Sequence, residues 1–417
     1  MKKFNAWRQH DDYSKLLKNV SSLTLVQLSN YILPLITLPY LARILGPNFF
    51  GLVMMAQATM IYLTLLTDYG FNLSATKEIA KHQNSIDVIE RLFSSIMAIK
   101  TGLLTIGALV LYGLTLSIPI FKDHQLLFWA SYLIVIGNTF LPTFLFQGLE
   151  KMSNIAVLNL IAKVSFTVLI FLIITSSQDY IWVHALWGLS YIMVDIAAFI
   201  IIKYQLKIKW VKPQINQLKK IINISFEYFL SRIAIAIYLN TNVIVVGVLL
   251  APTQAGIYGG AEKLLFAITT FYAPLIETIY PYLSRTKNKS FIKKILTGSV
   301  TINTIGCIGA FFLAPWLVPF ILGTEFKAAI GLFQWMLIIA FLHLPSSMIG
   351  YPVLAALGYV KTANRSVILG AILHIVMILV FYTKLSSPLH FIWIMIVSQS
   401  LILSIRLIKC VQVKALS

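Results

Sequence analysis

Runs of apolar residues recur from Leu16 to Ile408, separated by short polar segments in which Lys and Arg collect. Each run is about 20 to 28 residues long, enough to cross a hydrocarbon core of roughly 30 Å at about 1.5 Å per residue. The pattern predicts helices over 16–42, 49–71, 92–118, 125–147, 154–175, 180–203, 222–250, 256–283, 295–321, 329–357, 365–384 and 388–408. The expected fold class is therefore an all-α integral membrane protein with about 12 transmembrane helices. The polar residues 1–15 are expected to lie outside the membrane. The first run has no short apolar core followed by a small-residue cleavage pattern, so it is expected to stay in place as the first helix.

Composition agrees: 59% of residues are hydrophobic and 11% charged, which no water-soluble domain of this size sustains. The net charge of +19 raises the question of nucleic acid, and the position of the charges answers it. Alternate inter-helix segments carry 25 Lys and Arg, whereas the opposite set carries only Arg43, Lys122, Lys327 and Lys384. That asymmetry follows the positive-inside rule, placing both termini in the cytoplasm with anionic membrane lipids as partners and no nucleic acid. Cys307 and Cys410 suggest neither a disulfide framework nor a metal site.

Two phrases repeat. "LGPNFFGLVMMAQ" (45–57) aligns with "LAPTQAGIYGGAE" (250–262), matching Leu45/Leu250, Pro47/Pro252, Gly51/Gly256 and Ala56/Ala261 at an offset of 205. "PTFLFQGLEKMSN" (142–154) aligns with "PVLAALGYVKTAN" (352–364) at an offset of 210. Two echoes at nearly one offset predict two pseudo-symmetric six-helix bundles with a central cavity. The expected organisation is a cytoplasmic segment 1–15, a first bundle 16–203, a basic linker 204–221, a second bundle 222–408 and a tail 409–417. Because six helices return the chain to the same side, the halves share one orientation, and in transporters built this way substrate sits between them. Pro34, Pro39, Pro142, Pro274, Pro315 and Pro345 fall inside predicted helices, where they would kink or interrupt the backbone.

The helices flanking the first echo carry the polar stripes. Gln27, Asn30, Pro34 and Thr37 share a helical face, as do Gln57, Thr64, Thr67 and Asp68. Arg232, Ala236 and Asn240 form another row, and Glu262, Thr269, Ala273 and Glu277 a fourth. Gln27, Asn30, Gln57 and Asn240 are the candidates for a polar cavity lining; hydrogen bonding between helices accounts for the Thr residues equally well. Charged residues are harder to dismiss, since each costs on the order of 3 kcal/mol at the bilayer centre. Lys100, Lys163, Asp195 and Arg232 lie about 12 to 15 Å from the predicted cytoplasmic ends at about 1.5 Å per residue. Lys163 and Asp195 lie at matching depth, so an ion pair and a functional role both remain open for them. Arg232 is the leading site candidate, because guanidinium grips phosphate oxygens in a planar fork. Asp68, Glu227 and Glu277 would answer these cations, exchange protons for ion coupling or gating, or pair at the interface. Scattered histidines, no phosphate-binding loop and no long extramembrane segment leave no catalytic residues, no metal and no cofactor.

The chain resembles the Wzx-type O-antigen flippases, in the polysaccharide transporter family of the multidrug/oligosaccharidyl-lipid/polysaccharide exporter superfamily. The resemblance covers nearly its whole length and rests on "LPYLARILGPNFFGLV" (38–53), "TDYGF" (67–71), "ATKEIA" (75–80), "QGLEKM" (147–152), "YLNTNVIVVG" (238–247), "AGIYGGAEKL" (255–264) and "LGTEFKAA" (322–329). It implies a carrier, not an enzyme, that moves an undecaprenyl-pyrophosphate-linked oligosaccharide from the cytoplasmic to the periplasmic leaflet of a bacterial inner membrane by alternating access, with an ion gradient as a candidate driving force. It also implies an O-antigen polymerase and a chain-length regulator as partners. Arg43 in "LARILGP" and Arg232 before "YLNTNV" occupy places where such proteins often carry basic residues; Lys100, Lys163 and Lys263 join the cationic substrate-binding set from depth alone.

Two rival readings stay in view. An ion-coupled multidrug exporter of the same superfamily would concentrate acids in an apolar pocket, whereas here the deep cations equal or outnumber them. A membrane polymerase or glycosyltransferase would need a large periplasmic loop or acidic metal-binding pairs, and the sequence shows neither.

Overall fold

The computed structural model describes the backbone of residues 2–413 except Asn288, and side chains from Leu33 onward apart from Ala273, Glu277, Thr278, Tyr282 and Lys289. Fifteen α-helices follow in order: α1 (Lys2–Asp68), α2 (Phe71–Lys81), α3 (Ile86–Ser117), α4 (Pro119–Asp123), α5 (Gln125–Phe140), α6 (Thr143–Gly148), α7 (Met152–Ile173), α8 (Tyr180–Ile201), α9 (Ile215–Leu249), α10 (Pro252–Thr270), α11 (Ala273–Thr286), α12 (Lys289–Leu322), α13 (Ala329–Met348), α14 (Val360–Val380) and α15 (Pro388–Gln412). Wide π-helical turns extend α8 through Leu206 and α13 through Ala355.

Among the described residues, 11 stretches are long and apolar enough to cross a membrane. The first of these, Leu33–Lys81, contains the break at Gly46 where the first two predicted helices meet. Gly46 adopts φ 64°, ψ 171°, a conformation open to glycine, and Pro47 restarts the helix behind it. Large apolar side chains lie bare, Leu172 at 69% and Phe312 at 75% exposure. On spans of this length, such a surface matches a hydrocarbon surrounding. The chain is a multi-pass membrane protein.

The expected proline breaks divide. Pro142 ends α5, and Pro274 opens α11 after α10 stops at Thr270. Pro315 and Pro345 ride inside continuous helices, with the π turn following Pro345 by one helical turn. Pro34 and Pro39 also lie within the helical run before Gly46. The stripe read through Glu262, Thr269, Ala273 and Glu277 crosses the junction of α10 and α11, where Phe271 and Tyr272 form a turn with right-handed helical dihedral angles, φ −59°, ψ −21° and φ −82°, ψ −13°.

The chain clusters into two compact units: residues 1–44 with 60–230, and residues 45–59 with 231–417. In the first, Phe71, Phe93, Phe144 and Phe146 are sealed within an apolar core closed by Ile79, Ile96 and Ala198. In the second, Leu283, Ile349, Leu354 and Cys410 form a corresponding cluster.

The first echo becomes a crossing inside the second unit. A methyl added at Gly51 would strike the carbonyl oxygen of Pro252, and one added at Gly256 would strike that of Pro47. Thr253 Oγ1 donates to Asn48 Oδ1 at 3.2 Å, again 205 positions apart. The phrase is repeated because two copies pack on each other reciprocally at the one place where neither can carry a Cβ. The second echo keeps its turn but shifts its register. Lys151 N–H donates to Phe146 O at 2.8 Å and Tyr359 N–H to Leu354 O at 2.7 Å, while Glu150 (φ 57°) and Gly358 (φ 92°) hold the left-handed position. The matching residues are thus 208 apart, so Gly358 stands opposite Glu150 and not Gly148. Hydrogen-bond geometry, rather than residue identity, fixes that alignment.

Candidate functional site

Charged and polar side chains within the apolar spans form separate groups, each contained in one unit. In the first unit Lys100 on α3 is 1% exposed, Asp68 at the end of α1 is 7% and Asp195 on α8 is 5%. Asp68 and Asp195 are the opposite charges acting on Lys100, whose Nζ also stands 5.9 Å above the Phe144 ring. The charge acting on Asp195 is that of Lys100. Lys163 is half-buried on α7, while Arg43 and Glu227 are exposed.

In the second unit, Lys263 on α10 donates to Gln57 Oε1 at 3.0 Å. These two residues stand 206 apart in sequence and meet because the Gly51/Gly256 crossing brings their helices together. Glu262 is the neighbouring carboxylate, and its Oε1 is sealed from solvent without a hydrogen-bond donor among the described residues. Arg232 is half-buried at the start of the α9 portion that belongs to this unit. Asn240, in the same row, donates to Ala236 O at 3.1 Å, a back-bond within its own helix. The side chains of Gln27, Asn30 and Glu277 lie outside the described residues.

The structure therefore joins Lys263 to Gln57, places Lys100 under the charges of Asp68 and Asp195, and spreads the remaining expected residues over other helices. It also holds polar groups that reading along the sequence left unassembled. His374 on α14 is fully buried, with Nε2 2.9 Å from Asn242 Oδ1 and Nδ1 3.4 Å from Ser398 Oγ. Asn242 in turn donates to the Tyr258 hydroxyl at 2.9 Å, and Tyr238 donates to Gln399 Oε1 at 2.9 Å. Every partner here is neutral, as expected of an intramembrane histidine bonding its neighbours.

Arg406, near the end of the last predicted helix, is buried at 8% exposure instead of facing water. Its guanidinium donates to Ser366 Oγ (2.9 Å), Ser346 O (2.7 Å), Ser346 Oγ (3.1 Å) and Ala363 O (3.2 Å). Those four bonds tie α13, α14 and α15 together over the π turn. A guanidinium reaching backward along the apolar face of its helix leaves no period in the sequence, so only the absence of an acid near it could have flagged it.

Two open pockets lie in the second unit. One of about 760 Å³ runs between α12 and α13 and is walled by Cys307, Phe311, Phe312, Trp335 and Phe341. The other, about 670 Å³, is lined by Gln254, Tyr382, Ser386 and Ser387. None of the expected site residues lines either.

A profile of the polysaccharide biosynthesis protein family matches residues 16–287. A protein named "Putative O-antigen transporter" from Escherichia coli (strain K12) is 29% identical over 369 residues, covering 87% of this chain and 89% of the relative. "Probable low-salt glycan biosynthesis flippase Agl15" from Haloferax volcanii is 25% identical over 82% of this chain and 73% of its own length. Among solved structures, the lipid II flippase MurJ in an inward closed conformation superposes with a TM-score of 0.71 at 15% identity, covering 93% of this chain and 87% of MurJ. An inward-facing multidrug resistance MATE transporter gives 0.69 at 13% identity, with 92% and 95% covered. At those identities the structural matches establish the fold.

Proposed function

The chain belongs to the polysaccharide biosynthesis protein family, and from that premise we propose that it is a flippase of lipid-linked oligosaccharide, a transporter and not an enzyme. The observation that carries this reading is the match along 87% of the chain to a protein named as an O-antigen transporter. The cargo is an undecaprenyl-pyrophosphate-linked repeat unit, delivered from the cytoplasmic to the periplasmic leaflet of a bacterial inner membrane by alternating access. Both termini lie in the cytoplasm. An O-antigen polymerase and a chain-length regulator act downstream on the delivered units.

Physical chemistry supports such a cargo. A pyrophosphate cannot cross about 30 Å of hydrocarbon unaided, and intramembrane cations offer it a relay. Arg232 and Lys263 bind the pyrophosphate, with Arg43 and Lys163 at other points on its path; Gln57 orients Lys263 and Asn240 lines the route. Lys100 is the weakest member of that set, because two carboxylates already engage its charge. Asp68, Glu227 and Glu277 exchange protons if an ion gradient drives the cycle. The fold itself is shared with a multidrug transporter and does not choose the cargo; the intramembrane cations, which equal or outnumber the acids, favour an anionic headgroup.

Deleting the gene and assigning the leaflet on which lipid-linked oligosaccharide accumulates tests the function. Complete units trapped on the cytoplasmic leaflet support the flippase. Unpolymerised units on the periplasmic leaflet would point to a polymerase instead. For the site, Arg232→Ala is expected to abolish surface polysaccharide while the protein still inserts; normal surface polysaccharide would remove Arg232 from the path.

A further inference from the structure

Between Asp195 and Glu227 the sequence carries six lysines and no acidic residue. A solvated linker of that composition would have little reason to hold a fixed shape. Here residues 207–212 are fastened as an extended strap between the π turn of α8 and the start of α9. Lys207 turns the chain at φ 53°, and Ile208 is buried at 6% exposure. Lys209 N–H donates to Glu90 Oε1 at 2.8 Å, and Val211 N–H to Ser94 Oγ at 2.9 Å, both acceptors being on α3.

What the strap displays is the combination found at membrane interfaces. Trp210 is 62% exposed although its ring lies 5.0 Å from Phe93, and Tyr204 and Ile215 are 66% and 65% exposed. Lys207, Lys209 and Lys212 stand between them and Lys203 just before them, all exposed, with Lys203 Nζ 5.2 Å above the Tyr204 ring. Aromatic rings with a wet edge and lysines with apolar stems settle at headgroup level. The strap joins two membrane-spanning stretches, Ser177–Leu206 and Ile215–Leu249, so it emerges at a membrane surface by connectivity alone.

We propose that the segment 203–215 is an interfacial anchor that binds the headgroups of anionic lipids, with Glu90 and Ser94 holding its backbone so that Trp210, Lys207, Lys209 and Lys212 face the leaflet together. The anchor fixes how deeply the ends of α3, α8 and α9 sit in the membrane. It does not depend on which cargo the protein carries.

The test titrates the purified full-length protein in neutral detergent with phosphatidylglycerol or phosphatidylcholine and follows the thermal unfolding midpoint. Phosphatidylglycerol should raise the midpoint in a salt-sensitive way and phosphatidylcholine should not. Replacing Lys207, Lys209 and Lys212 by Gln should weaken phosphatidylglycerol by up to on the order of 100-fold, from roughly fivefold per lysine. The same change at Lys293, Lys294 and Lys361, exposed on other segments, should leave it within a few-fold. Glu90→Ala separates geometry from charge count: it removes a negative charge yet releases the strap, so affinity should fall, and Glu90→Gln, which keeps an acceptor oxygen, should restore it. Unchanged affinity in the triple-lysine variant, equal shifts with both lipids, or tighter binding in Glu90→Ala would each overturn the proposal. So would saturation by an isoprenyl pyrophosphate with no response to phosphatidylglycerol.

Discussion

Lys100 is a cation enclosed in protein, facing Asp68 and Asp195. Removing it alone leaves Asp195 buried without the charge that acts on it, which costs on the order of 3 kcal/mol or more. Lys100→Met should therefore lower the unfolding midpoint sharply, and Lys100→Met with Asp195→Asn should recover much of the loss. Additive losses in that double-variant cycle would show that the two charges do not act on each other. At Arg406 the dependence runs through a glycine. A Cβ on Gly350 would lie 2.6 Å from the guanidinium carbon, so Gly350→Ala must push Arg406 off Ser346 and Ala363. The expected cost is about 1–3 kcal/mol for the overpacking, read as a lower unfolding midpoint. Gly306→Ala, whose Cβ would meet open space, is the matched control and should change little.

Helices in lipid gain nothing from hiding apolar surface from one another, so close packing decides how they associate. The crossing of the α1 portion after Gly46 with α10 is the clearest case. Its two glycines each face backbone rather than a flexible side chain, and neither neighbour can yield. Gly51→Ala and Gly256→Ala should each reduce folded protein in the membrane to a small fraction, measured as the monodisperse peak after detergent extraction. The double variant should be no worse than additive, since one separation of the helices relieves both clashes. Separating these helices also pulls Lys263 from Gln57, so surviving protein should lose transport before it loses insertion.

At the scale of the whole molecule, the boundary between compact units does not fall at the basic linker. The segment Leu45–Thr59, from the first half of the sequence, packs within the second unit, where Phe50 meets Phe326 edge-on at 5.6 Å. Residues 204–417 expressed alone should be protease-sensitive, and co-expression of residues 1–203 should restore resistance by returning that segment; a stable second half on its own would contradict the packing. The spans themselves were legible from sequence, because a bilayer imposes a local requirement: about 20 apolar residues whose backbone hydrogen bonds close within each helix. The repeat was legible too, since a close helix crossing leaves glycine and proline at fixed positions. Which polar groups meet was not. The second echo slipped to an offset of 208, and Arg406 turned inward to neutral acceptors 40 to 60 residues away. Those outcomes depend on how each helix is rotated and how near its neighbour lies, which no single stretch of chain encodes and only the packing of all of them sets.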